Sequence, residues 1–311
     1  MIRRLKLSYM LYNLFNKGRL EHNVKLYKKL GLRKSYFSPI SSADFRATDA
    51  AVLQENQNLP ALEEIAFLKT VSVTARKSIH DFQDNGYCVI DKFLDNSQVD
   101  KINNTIDQLQ SSGKLKFKYG NKLMFAIHQS PFLQDLWEDK ALLELLSCLI
   151  QGEAALFQSI NFIYGSQQKT HSDSIHMTTF PLGGLLGVWM ALEDIGLDNG
   201  PLHYYPKSHK LPYYLNEDYD NVGTKFFLGK NGYGAYEKML AEKVQEQKIE
   251  RQVFTAKKGD LFIWHANLLH GGEPHTNKER TRKSMVMHYF DLNRICYHEI
   301  SQRPALFGRA I

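Results

Sequence analysis

The strongest constraint on how this chain can fold is a pair of segments far apart in sequence that both carry metal-ligand side chains. They are Thr170-His171-Ser172-Asp173 and Leu268-Leu269-His270-Gly271-Gly272. Side chains alternate along a strand with period two, so a His-x-Asp read as strand presents both groups on one face. The third candidate, His270, lies 97 residues beyond Asp173, so it must come from a neighbouring strand. A jelly roll, in which sequence-distant strands lie side by side, meets that demand. Two histidines and one carboxylate match the facial triad of a mononuclear Fe(II) site, which leaves three positions free for a cosubstrate and dioxygen. On its own His-x-Asp is a common surface tripeptide, and its weight comes from context.

The texture of the chain supports a sheet-rich core with flanking helices. Helical signals run over 62–82, stopped by Gly86, over the stretch after Asp95 or Ser97 with Val99, Ile102, Ile106 and Leu109 at helical spacing, and over 133–150. Beyond Gly152 the pattern becomes strand-like. Strands are expected at 155–164, 185–192, 202–205, around Phe254, at 261–264 and at 285–290, with Asn199-Gly200 as a turn. Short strands between Gly and Pro turns predict a mainly β fold, a sandwich or barrel. The reading is one domain over 62–311, with a lid-like insertion around 207–250, preceded by an arm and connector over 1–61.

Charge separates the arm from the body. The net charge is +6, yet residues 1–34 alone hold ten bases against the single acid Glu21, leaving 29 bases against 32 acids elsewhere. The mildly acidic body gives no electrostatic reason to expect nucleic acid. The arm mixes its bases with Leu5, Leu7, Leu11, Leu14 and Phe15, as a basic amphipathic helix pair does. Such helices lie on anionic membranes or dock on a partner, and the competing reading packs their apolar side on the domain. Cys88, Cys148 and Cys296 form no CxxC and read as reduced thiols, so a cytoplasmic setting is expected, with peripheral membrane contact through residues 1–34 as a variant of it. No apolar run approaches the roughly 20 residues that span a bilayer.

Gly259-Asp260-Leu261-Phe262-Ile263-Trp264 is a turn followed by an apolar strand that delivers His270. Twelve positions on stands Arg282, whose guanidinium fork suits the far carboxylate of a dicarboxylic cosubstrate such as 2-oxoglutarate; a surface ion pair is the competing reading. Together with Asn85-Gly86-Tyr87, 158–162, 189–194, Asn199-Gly200-Pro201-Leu202, 206–210 and Arg282-Lys283-Ser284, these pieces resemble the phytanoyl-CoA dioxygenase family of Fe(II)/2-oxoglutarate oxygenases, which includes ectoine hydroxylase. The resemblance covers roughly residues 80 to 292.

The resemblance implies a double-stranded β-helix core of jelly-roll or cupin-like type with flanking helices, iron and 2-oxoglutarate. It makes His171, Asp173 and His270 the metal ligands and sets Arg282 on 2-oxoglutarate with Ser284 assisting. Gln158 and Asn161 fall where some members aim a polar pair at the cosubstrate, with a spacing one residue shorter here. Lys207 stands where the family has Gly. Asp173, where related halogenases carry a small residue, favours oxygenation over chlorination. The implied activity uses dioxygen to oxidise an unactivated carbon of a small-molecule, natural-product or lipid-linked substrate, releasing succinate and CO2; hydroxylation is the default outcome, and desaturation or ring formation can use the same site.

The other histidines carry weaker expectations. A regular strand would point His176 away from His171. His265 and His275 flank His270 but lack its Leu-Leu-His-Gly-Gly setting. His128, His203 and His288 read as pocket wall or core, with His128 near the cosubstrate as an alternative. Two rival functions remain open at this level. One is a non-catalytic ligand-binding jelly roll, and the other is a membrane-surface adaptor acting through the arm.

Overall fold

The computed structural model describes residues 4–53 and 59–308. Two helices open it, α1 (Lys6–Leu14) and α2 (Lys17–Lys29), followed by α3 (Val73–His80) and α4 (Phe82–Asn85). Next come β1 (Tyr87–Ile90), α5 (Asn96–Ser111), β2 (Phe117–Lys118), β3 (Lys122–Met124), α6 (Pro131–Trp137) and α7 (Lys140–Ile150). The strand-rich half has β4 (Ala154–Phe162), β5 (Thr178–Phe180), β6 (Leu185–Ala191), β7 (Leu202–Tyr204), α8 (Tyr233–Gln247) and β8 (Gln252–Phe254). It ends with β9 (Leu261–His265), β10 (His270–Gly272), β11 (Ser284–Asp291), β12 (Ile295–His298) and β13 (Arg303–Pro304).

Seven strands form one sheet in the order β1-β9-β6-β11-β4-β3-β2, and β10-β7-β8 form a second. Every pairing is antiparallel. The alternation along the large sheet builds two cores from one set of strands. Leu186, Val188, Met190, Leu261, Ile263, Met285 and Met287 face α5, α6 and α7. Trp189, Ala191, Phe262, Trp264 and Val286 face the small sheet, meeting Leu202, Tyr204 and Leu268. Because both faces are covered, β6 is buried along its whole length, and its sequence reads as a nearly continuous apolar run.

Local signals explain most element ends. Asp95 accepts a hydrogen bond from Gln98 N (2.8 Å) while the Gln98 side chain accepts one from Asp95 N (3.0 Å), a capping box that starts α5. Gly86 ends α4 in the left-handed conformation, φ 81°. Two expected helices are broken. The 62–82 stretch is two short 3₁₀ turns followed by α3, which Ser72 caps by accepting from Ala75 N at 3.0 Å. The 133–150 stretch is split because the Asp139 carboxylate accepts from Ala141 N and Leu142 N at 3.0 and 3.1 Å and begins a new helix.

The third sheet, β13-β12-β5, receives the arm. Leu26 and Tyr27 of α2 pack with Ile40, Phe45, Ile295 and Tyr297, and Asn23 exchanges two hydrogen bonds with the backbone of Cys296. The 207–250 segment runs from β7 to β8 and carries α8. Cys88, Cys148 and Cys296 are unpaired. Among the described residues no helix is long and apolar enough to cross a membrane.

Candidate metal centre

His171 and His270 are brought together by backbone. Each donates its N–H to the other's carbonyl at 2.9 Å, an antiparallel bridge that sets the two rings 4.5 Å apart between centroids. Both imidazoles are then fixed in the same way. His171 Nδ1 lies 2.9 Å from Lys169 O, and His270 Nδ1 lies 2.9 Å from Leu268 O. A carbonyl can only accept, so each Nδ1 carries the proton and each Nε2 lone pair is free. Those two nitrogens face Asp173 Oδ1, at 3.8 and 3.9 Å. All three groups are buried, with donor atoms within 4.8 Å of one another.

Asp173 is not on a regular strand. After the bridge at His171 the chain turns into a 3₁₀ turn over Asp173–Ile175, capped by Ser172, whose hydroxyl accepts from Ser174 N at 3.1 Å. The carboxylate is divided between two tasks. Oδ1 points at the imidazoles, while Oδ2 accepts from Trp264 Nε1 at 2.8 Å and lies 3.5 Å from His288 Nε2. Burial alone would raise its pKa, but His270, His288 and His171 around it outweigh burial and hold the carboxyl far below the usual range. His171 is pushed well down by burial and by His270. At neutral pH the cluster therefore offers one carboxylate and a neutral His171, the protonation state metal binding requires. The pinned Nδ1 atoms are the outer-shell arrangement of metal-bound histidine, so the donor set fits a divalent transition metal.

Arg282, Ser284, Val286 and His288 share the inner face of β11 and its approach. The Arg282 guanidinium is buried, donates to Gly200 O (2.9 Å) and Ser284 Oγ (2.5 Å), and stacks 5.0 Å over Trp189. Burial lowers its pKa to about 10 against the pull of Glu193. None of the ion pairs among the described residues includes it, so the surface-pair reading fails and a buried cation is left to meet an anion.

The polar pair on β4 does not hold together. Gln158 pairs with His288 on the inner face, and its amide Nε2 lies 3.3 Å from His288 Nδ1. Asn161 pairs with Met285 and Leu123 on the face turned to the helices, with both amide atoms buried and unbonded. An odd separation along a regular strand puts the two side chains on opposite faces, so Asn161 cannot join Gln158. His176 also departs from expectation: the 3₁₀ turn brings its ring to 6.4 Å from His171, beside Tyr233 at 4.6 Å. His275 Nδ1 lies 3.2 Å from Tyr164 O, and His265 packs on His209, both outside the cluster. His203 lies 2.9 Å from Thr170 Oγ1, bracing the residue before His171. His128 stacks on Phe125.

Several contributors escaped the sequence reading. Trp264 looked like one more apolar strand residue. Its visible clue is Gly187, the strand neighbour across from it, where a Cβ would fall 2.2 Å from the indole. Lys122, on β3, is part-buried with Nζ 3.4 Å from Gln168 Oε1; burial lowers its pKa and Asp173 raises it. From α8, the Tyr236 hydroxyl accepts from Ser172 N at 3.3 Å, and Tyr233 bonds Gln168 at 3.1 Å. Nothing in the local sequence of α8 announces that role.

Comparisons with known proteins bear on the fold and the family. The crystal structure of SnoK, a non-heme alpha ketoglutarate dependent carbocyclase from nogalamycin biosynthesis, superposes with TM-score 0.62 at 14% identity over 82% of this chain and 98% of that one. EctD from S. alaskensis with 2-oxoglutarate and 5-hydroxyectoine gives 0.57 at 19% identity, over 76% and 84%. At such identities the likeness shows the fold, a jelly-roll core with flanking helices. Among curated relatives, phytanoyl-CoA dioxygenase domain-containing protein 1 of Danio rerio is 32% identical over 170 residues, 50% of this chain and 53% of the relative. The Mus musculus protein is 24% identical over 176 residues, 55% and 57%. The chain spans about half the length of the curated relatives it matches. The family model described as phytanoyl-CoA dioxygenase matches residues 82–284. A match over well more than half of the chain, running from the helix before Gly86 to Ser284 and taking in His171, Asp173 and His270, shows that this chain belongs to the phytanoyl-CoA dioxygenase family.

Proposed function

We propose that the protein is an Fe(II)/2-oxoglutarate-dependent dioxygenase that hydroxylates an unactivated carbon of a small-molecule substrate. The observation that carries this reading is the convergence of two Nδ1-pinned histidines and a divided carboxylate in one buried cluster. His171, Asp173 and His270 would hold the metal through Nε2, Oδ1 and Nε2. Arg282, buried and outside the ion pairs of the described residues, would take the far carboxylate of 2-oxoglutarate with Ser284 fixing its fork. Lys122 adds a second part-buried cation on the inner side. When bound, iron and 2-oxoglutarate supply the oxidising power, with dioxygen consumed as 2-oxoglutarate becomes succinate and CO2.

The chain's own work is positioning and exclusion of water. Trp264 and His288 keep Asp173 Oδ2 occupied so that Oδ1 alone faces the centre. Trp189 lies under Arg282 and holds the guanidinium plane. Gln168, Tyr233 and Tyr236 close the outer side. The test is anaerobic addition of Fe(II) and 2-oxoglutarate, read as a visible metal-to-ligand charge-transfer band. Wild type is expected to show the band and to convert 2-oxoglutarate to succinate; Asp173→Ala is expected to show neither. An unchanged band and turnover in Asp173→Ala would sink the assignment, and a band without turnover across a broad substrate screen would support a ligand-binding protein instead.

A further inference from the structure

The two N-terminal helices treat their apolar residues in opposite ways. α2 buries Leu20, Leu26 and Tyr27. α1 instead buries Lys6 and Asn13 and turns outward Leu7 (51% exposed), Leu11 (51%), Leu14 (40%) and Phe15 (89%). Spaced i, i+4, i+7 and i+8, these four form a single stripe. Phe226, 63% exposed, adjoins it, because Lys6 N donates to Phe226 O at 2.9 Å and Leu5 bridges to Phe227. Exposed lysines stand nearby in sequence, Lys17 two positions after Phe15 and Lys225 immediately before Phe226. Contiguous apolar surface of this kind marks an interaction site.

We propose that this face docks on an anionic phospholipid bilayer. Leu7, Leu11, Leu14, Phe15 and Phe226 would enter the headgroup boundary, and the basic arm would face the lipid charge. Lys6 is buried and Lys34 pairs with Asp44. Among the described residues of the arm, Arg4, Lys17, Lys25, Lys28, Lys29 and Arg33 are exposed against the single acid Glu21, and these bases favour that occupant. They disfavour a second copy of the chain, since a two-fold contact would press two strongly positive arms together. Two acids of the neighbouring insertion are already engaged elsewhere: Glu217 pairs with Arg46, and Asp218 accepts from Leu215 N at 2.7 Å. The docking face is also joined to the metal centre. The 226–228 segment bonded to α1 belongs to the same insertion as α8, whose Tyr236 rests on Ser172.

The test is co-sedimentation of the full chain with phosphatidylcholine vesicles, with and without phosphatidylserine. Binding is expected only with phosphatidylserine and is expected to fall as salt rises. Leu11→Gln/Phe15→Ser, which alters exposed positions and is expected to melt like wild type, should bind about tenfold less or weaker still. Lys17→Glu/Lys225→Glu should lose affinity while keeping the apolar stripe. The proposal is overturned if wild type stays in the supernatant, or if the apolar variant binds as wild type does. A wild-type dimer in size exclusion that the apolar variant dissolves would overturn it too, assigning the face to a second copy.

Discussion

At the scale of single residues, the controlling feature is the division of the Asp173 carboxylate. A ligand carboxylate free to rotate would present either oxygen or both. Here the Trp264 indole N–H at 2.8 Å and His288 at 3.5 Å hold Oδ2. His288 is oriented in turn by Gln158, whose amide can donate to Nδ1 and so leave the proton on Nε2. The family resemblance implies that Gln158 meets the cosubstrate; in this structure its amide lies against His288. Trp264→Phe removes only the donor and keeps the ring. It is expected to weaken Fe(II) binding roughly 10- to 100-fold, measured by competition titration, with the apo-protein melting point little changed. Equal affinity in the variant would show that Oδ2 is not held for the metal.

Between elements, the same contact depends on a strand with a gap in it. Gly187 of β6 lies beside Trp264 of β9, and a Cβ there would sit 2.2 Å from the indole. Gly187→Ala is therefore expected to cost about 1–3 kcal/mol of stability by overpacking and to displace the indole from Asp173. Its loss of Fe(II) affinity should approach that of Trp264→Phe, and the double variant should be little worse than either single one. Additive losses in a calorimetric cycle would separate the two effects and refute the link. The glycine in β6 thus serves packing across the sheet, at a position where a turn has no part.

At the scale of the whole molecule, burial holds several imidazoles below their ordinary range. Burial, helped by His209 and Arg294, holds His265 down to about 3, and burial with Arg303 holds His298 down to about 4. In the unfolded chain both take up a proton near 6.5. Between those values the unfolded chain binds more protons than the fold, so their contribution to stability is complete above 6.5 and is lost as pH falls toward 4. Melting temperature is expected to drop steadily from pH 7 to 4.5, with a shallower slope in His265→Gln/His298→Gln. A slope unchanged in that variant would assign the acid sensitivity to other groups.

What local sequence could determine, it determined well. β4, β6, β9 and β11 fall within a few residues of their expected positions, since strands covered on both faces are largely apolar. His171, Asp173 and His270 are legible in the sequence as a set of ligand types, which the fold gathers into one cluster, and Arg282, expected as an anion anchor, is found buried. The tertiary structure decided what depends on partners far along the chain. The bridge between His171 and His270 released the following residues into a turn, which brought His176 inward. The register of β4 against β11 sent Asn161 to the helix side. The insertion placed Tyr236 on Ser172, and α1 came to rest with its polar side inward. Periodicity records which side chains of one element share a face; which face meets the core is set by packing between elements, and that is where these outcomes were decided.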